Sequence, residues 1–513
     1  MEVEAVLKHV AAGGSVGKVG SLVVGVVLNG SVNRCYELVG FVHALVDSTT
    51  STDGARHVLL RGFAWAAGAR IGAYSAALLS GPLLARMLTP DELGDYFLAT
   101  TVATVGAMLA LMGLSGVALR EVSSALGLGR PDDARAAIVA TVGLACITGA
   151  ATAGLLLSPV GHLLAVDVLH SERLDDLRPL LAAWMVLFMA GILATNIWRG
   201  LGNVRLAVVL GDFGPKAAFA VGVAVLWLVS RAVGLETVLW LWIGVSAVLV
   251  GAWTILLARR TSSFPAGRRM PGLSLAGAGI AILVTGIMWQ ALDQIDLVIL
   301  ANAAPHHDVA LYGAAARISL LLAVPLILVE FVISPVVGAM TARGEIDALQ
   351  VVLRRGATIA MIPTALGAIA VVVGGRWILE GLYGSYYGQA WPVLAVLALG
   401  YLAFALTGSC GLVLWMAGHQ RLTAAVATAF GVATLGGAIV AARAFGMLGL
   451  AITMVIGIVG QNAVLLVLAR RRLGVWTHTY LRPREIVGGV ASVIHAVPDA
   501  PAVGFSSSVH PSR

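Results

Sequence analysis

Apolar residues along this chain gather into long runs, and most of the charged residues fall in the short stretches between them. The runs lie near 62–87, 96–119, 136–160, 179–200, 205–230 and 237–258, then near 274–302, 310–340, 355–374, 389–417, 422–444 and 447–469. Each is long enough to cross a hydrocarbon core of about 30 Å as a helix, so the pattern predicts an all-α integral membrane protein with about twelve transmembrane helices. Glycine and proline inside the runs, as at Gly81-Pro82, Pro325 and Pro335, fit this reading. Neighbouring helices or water can satisfy the backbone groups they free.

The two sets of runs resemble each other at one offset. Leu84-Ala85, Tyr96 and Ala99 match Leu300-Ala301, Tyr312 and Ala315, each 216 residues on. At the same shift Gly202, Arg205 and Leu206 match Gly418, Arg421 and Leu422. The loop from Gly129 to Ala134 has a near counterpart in Gly344 to Ala348, one or two residues out of step. The shift equals one six-helix half, and an even number of helices leaves the halves parallel. The expected architecture is therefore two six-helix, parallel-repeat lobes around a central cavity, a plan in which substrate binds between halves that rock against each other. In residue terms it divides into an extension (1–58), a first lobe (59–262), a linker (263–272), a second lobe (273–473) and a tail (474–513).

Composition agrees: 59% of residues are hydrophobic and 12% charged, about half the charged share of a soluble domain. The net charge of +7 marks no nucleic-acid surface, because the basic residues sit in short clusters between the runs. With the N-terminus inside, the inner segments carry Arg61, Arg120, Arg130, Arg135, Arg199, Arg205, Arg259, Arg260, Arg268, Arg269, Arg343, Arg354, Arg355, Arg421 and Arg470 to Arg472. The outer loops hold only Arg86, Arg173, Arg178, Arg231, Arg376 and Arg443. That imbalance predicts cytoplasmic termini. Residues 1–58 open on an acidic Met1-Glu2-Val3-Glu4, unlike a signal peptide, and read as a poorly ordered or interfacial extension. The tail, with Pro498, Pro501 and Ser506 to Ser508, reads as disordered and cytoplasmic. Cys35, Cys146 and Cys410 are too scattered for a disulfide framework or a metal site.

Several stretches resemble the polysaccharide-transporter (oligosaccharide flippase) branch of the multidrug/oligosaccharidyl-lipid/polysaccharide (MOP) exporter superfamily, over about residues 60–473. They are Leu84-Ala-Arg-Met-Leu-Thr-Pro-Asp-Glu-Leu-Gly-Asp-Tyr96, Arg199-Gly-Leu-Gly202, Asp293-Gln-Ile-Asp296 with Leu311-Tyr-Gly-Ala314, and Leu382-Tyr-Gly-Ser-Tyr-Tyr-Gly-Gln-Ala390. The resemblance implies a non-enzymatic flippase in a bacterial plasma membrane. Its cargo would be a polyprenyl-pyrophosphate-linked oligosaccharide, turned to the outer leaflet for cell-surface polysaccharide biosynthesis. Helices 1, 2, 7 and 8 would line the cavity. The implied partners are lipid-linked oligosaccharide, membrane lipids and polysaccharide-assembly enzymes, with no cofactor.

Charges inside the spans are costly and so should face a cavity or a partner. Arg70, alone on the first run, and Arg317 on the eighth are the candidate substrate-binding residues, since a guanidinium offers phosphate a bidentate fork. For Arg70, pairing with Asp212 and snorkelling to the interface are the alternatives. Asp293, Asp296 and Glu330 are candidates for ion coupling or gating, and a bridge from Asp293 or Asp296 to Arg317 would be either a staple or a gate. Asp212 and Lys216, spaced i,i+4, form a candidate structural pair. Trp240, Trp242, Trp377 and Trp391 near outer ends, and Trp198 and Trp415 near inner ones, read as an aromatic belt. The adjacent His306 and His307 with Asp308 read as a solvated loop, not a metal site.

Three other functions compete. A glycan polymerase or ligase needs a catalytic constellation on a substantial outer loop, and the longest, Gly161 to Arg178, shows no recognisable spacing. A drug exporter of the same superfamily is closer, but the first run carries Arg70 and no acid, which favours an anionic cargo. A major-facilitator transporter would share the two parallel halves, but Arg120 to Arg135 lacks that family's usual Gly-Asp-Arg-Gly-type loop.

Overall fold

The structure, a computed structural model, describes residues 68, 72–73, 75–230, 233–262, 264–265 and 295–480. Among these residues every regular element is helical. The first half supplies α1 (75–87), α2 (Pro90–Leu111), α3 (Leu114–Gly127), α4 (Pro131–Leu157), α5 (Arg178–Gly200), α6 (Gly214–Val229) and α7 (Leu235–Thr261). The second supplies α8 (Ile295–Ala303), α9 (His306–Leu320), α10 (Val324–Arg343), α11 (Ile346–Tyr383), α12 (Trp391–Thr407), α13 (Cys410–Met416) and α14 (Gln420–Leu473). Among the described residues, eight helices, or nine with a bent pair joined, are long and apolar enough to cross a membrane. The chain is thus a multi-pass membrane protein. Gly446, at φ 61°, breaks α14 between the predicted runs 422–444 and 447–469.

Element boundaries repeat at the predicted shift. α2 and α9 begin 216 residues apart, α3 and α10 end 216 apart, and so do α5 and α13. Gly202 and Gly418 hold the same left-handed conformation at this offset, φ 79° and 83°. Each follows a helix end, where only glycine turns the chain without a Cβ penalty. The out-of-step loop pair behaves alike, Gly129 at φ 69° and Gly344 at φ 71°. The sequence match is strong at these turns because backbone conformation constrains them more tightly than lipid constrains a helix face.

Two expectations are corrected. The start of the tail, residues 474–480, packs against the second half instead of being disordered. Val475, Thr477 and Thr479 alternate into the protein, each at most 1% exposed. Trp476 donates its N–H to Gln350, Thr477 its hydroxyl to the Thr407 carbonyl and Tyr480 its N–H to the Thr358 hydroxyl. Arg354 stacks over the Tyr480 ring, 4.0 Å away. This short extended strap has period-two burial, which a composition average over forty residues hides. The aromatic belt is also only partial. Trp240, Trp377 and Trp415 are exposed, whereas Trp198 is buried against Trp253 and Trp242 donates to the Tyr96 hydroxyl.

Helices of each half pack mainly among themselves, and the halves meet chiefly where α2 crosses α9. That crossing lies at the face which the arginine distribution assigns to the outside, called the outer face below.

Candidate functional site

The start of α2 is fixed by its sequence. Thr89 caps the helix, accepting from the Glu92 N–H, while the Glu92 carboxylate accepts from the Thr89 N–H, with Pro90 between them. This capping box satisfies two end donors reciprocally. It sets Asp95 and Phe97 within the first two turns. The repeat-related α9 begins at His306, and the two helices approach through glycines. A Cβ on Gly94 would strike the backbone carbonyl of His306, and one on Gly313 would strike the Phe97 ring.

At this crossing Asp95, only 4% exposed, accepts from three directions. Ser171 Oγ donates to its Oδ1 at 2.9 Å, His306 Nδ1 lies 2.6 Å from the same oxygen, and Arg173 Nη1 is 3.3 Å from Oδ2. Ser171 and Arg173 come from the outer loop after α4, where a π-helical turn (Leu164–Val168) and the left-handed His170 (φ 53°) redirect the chain. His306 comes from the other half. Further links at the same face join Arg86 to the Gly381 carbonyl (2.7 Å), Asn302 to the Val168 carbonyl (3.4 Å) and His307 to Asp91 (3.6 Å). Together they close the outer face between the halves.

Arg317 stands eleven residues along α9 from His306, roughly 16 Å deeper at 1.5 Å per residue. Its guanidinium lies over the Phe97 ring of the first half, 4.2 Å from the centroid. Among the described residues no carboxylate pairs with it. Behind Phe97 the first half is packed with aromatic rings: Phe219 stacks on Trp242 at 3.9 Å and Trp184 on Trp242 at 5.5 Å.

The other predicted residues separate. Arg70, Asp293 and the Asp212 side chain lie outside the described residues, so Arg70's role and the Asp212–Lys216 pair have no geometry to report. Asp296 is engaged by the Tyr312 hydroxyl, inside the second half. Glu330 faces Ser409 in α10's own half, beside Cys410, whose thiol points to Asn462 at 3.6 Å. The closure residues Asp95, Ser171, Arg173 and His306 were not among the predicted site. His306, read as a solvated loop histidine, is instead largely buried, its side chain 16% exposed. Asp95 lay inside the best-matched family stretch, and an acid one turn into a membrane helix was the available signal.

The fold is shared with solved transporters. An inward-facing multidrug-resistance MATE family transporter of the MOP superfamily aligns with a TM-score of 0.65 and 15% identity, over 78% of this chain and 94% of that one. The lipid II flippase MurJ, in an inward closed conformation, aligns at 0.63 and 12% identity, over 83% and 90%. A MOP superfamily transporter from Pyrococcus furiosus aligns at 0.57 and 14% identity, over 80% and 95%. No curated protein sequence matches the chain. The profile of polysaccharide biosynthesis proteins matches residues 59–340, more than half of the sequence. With that match, on a fold shared with MOP transporters, the chain belongs to the polysaccharide biosynthesis protein family.

Proposed function

We propose that this protein is a flippase that carries a polyprenyl-pyrophosphate-linked oligosaccharide from the cytoplasmic to the outer leaflet of a bacterial plasma membrane. Two lobes, 59–262 and 273–473, rock about a central cavity, with both termini cytoplasmic. The observation that carries this reading is Arg317, a cation deep in an apolar protein, held on an aromatic face between the halves with no carboxylate partner among the described residues. A charge at that depth is costly and should face a cavity or a partner, and an anionic cargo would serve as one. The planar fork of arginine suits phosphate oxygens, and the aromatic face holds it meanwhile. Arg70, on the cavity-lining first helix, is the second cation of the proposed site. Asp293, Asp296 and Glu330 remain the proposed coupling or gating acids. Family membership and the shared fold support a transporter. The oligosaccharide cargo rests on the family and the cation.

The test is translocation of a labelled lipid-linked oligosaccharide in vesicles, run beside thermal unfolding of each variant. Arg317→Ala and Arg70→Ala are expected to abolish flipping in folded protein, and the lysine variants to keep part of it, since lysine retains charge but not the fork. Full activity in both alanine variants would overturn the reading, as would transport of a cationic drug with no effect on the lipid.

A further inference from the structure

Asp95 is a buried carboxylate whose three donors come from two halves of the molecule. Within the first half, Ser171 and Arg173 hold it in place. His306 reaches it from across the crossing. The other ring nitrogen of His306, Nε2, is buried without a well-formed hydrogen bond, while the backbone carbonyls of Leu169 and His170 face the ring. A neutral imidazole donating through Nδ1 would turn a lone pair toward those carbonyls. A charged imidazolium offers donors on both sides, one to a carboxylate and one to carbonyls. The other charged or titratable groups around this crossing are Arg173, Arg86, Glu92, Asp91, His170, His307 and Asp308. Tyr386, on the short helical turn Ser385–Ala390, sits near Asp91 and Asp308.

We propose that Asp95 and His306 form a proton-operated latch on the outer face, fastened when the imidazole is charged. Opening the outer face separates α2 from α9 and returns the ring to water, where an unperturbed imidazole titrates near 6.5. The closed state holds the proton more tightly, so closure is favoured below that value and weakens as the pH rises through the higher value of the closed state. Each unit of difference between the two shifts the ratio of closed to open by about tenfold. The latch acts on the empty protein and does not depend on what the cargo is.

The test needs no substrate. Cysteines at Val160 and Ser385, both exposed at the outer face and on opposite halves, would carry spin labels in a background with Cys35, Cys146 and Cys410 replaced. Pulsed-EPR distance distributions are then recorded between pH 5 and 9. The short-distance population of the otherwise native protein is expected to fall several-fold as the pH rises. His306→Gln, which keeps a donor but does not titrate, is expected to flatten the profile, and Asp95→Asn to lower closure at acid pH. His307→Gln, which removes only the more exposed cross-half contact with Asp91, is expected to change the profile much less than His306→Gln. A profile that persists in His306→Gln, or disappears in His307→Gln, or is flat in the parent, overturns the latch.

Discussion

At the level of single residues, closure of the outer face depends on side chains that are missing as much as on those present. The Phe97 ring occupies the space a side chain at Gly313 would take, and the His306 carbonyl does the same at Gly94. Overpacking a tight contact costs about 1–3 kcal/mol. In Gly313→Ala that cost falls on the closed state alone. The expected result is a loss of outer closure of roughly five- to 150-fold, read from the same Val160–Ser385 label distance. Unchanged closure would mean that the ring gives way cheaply. Sequence offers little to single these residues out, beyond an acid one turn into α2. Gly94 and Gly313 are two glycines in a chain of 61, and Asp95 and His306 meet 211 residues apart. The intramembrane charges, in contrast, stood out by chemistry alone, because hydrocarbon makes any ionisable residue conspicuous.

At the level of elements, the eighth span bends by 44° between α9 and α10. Pro325 lacks the N–H that would continue the ladder, and tight turns fill the gap from Leu321 to Val324. From the neighbouring α11, fully buried Thr364 donates its hydroxyl to the Leu322 carbonyl at 3.0 Å. Thr364→Val keeps the shape and removes the donor, which leaves a buried carbonyl unsatisfied at a cost of about 1–3 kcal/mol. Thermal unfolding should therefore fall in the valine variant and recover in Thr364→Ser. Equal melting of all three would show that the bend holds itself. Sequence exposed half of this arrangement. The proline announced a break, but the hydroxyl that answers it comes from 42 residues further on.

Over the whole molecule, apolar periodicity located the spans well. Predicted runs 179–200, 237–258 and 355–374 coincide with unbroken helix, whereas 96–119, 136–160, 310–340 and 389–417 are interrupted, at Met112-Gly113, Ser158, residues 321–323 and Gly408-Ser409. The repeat was legible because separate anchors share one offset, and one of them, Gly202 with Gly418, is a left-handed glycine at a helix end in both halves. Orientation has a separate test. Single cysteines in the linker 263–272 should react only with permeant reagents in intact cells, and labelling there by an impermeant one would invert the topology. The tail was misjudged because seven packed residues were averaged with a polar, proline-rich remainder.

Those seven residues have a practical consequence. The named contacts of the strap are all with helices of the second half, so in a rocking motion it travels as that half's passenger. Its position is therefore a fixed coordinate in one moving frame. Cys146 sits exposed on α4 in the other frame, and a probe at His478 would be joined to neither gate helix. If the halves rock as proposed, the separation of those two points measures how far they turn, without touching any side chain that closes the gate or holds a cargo.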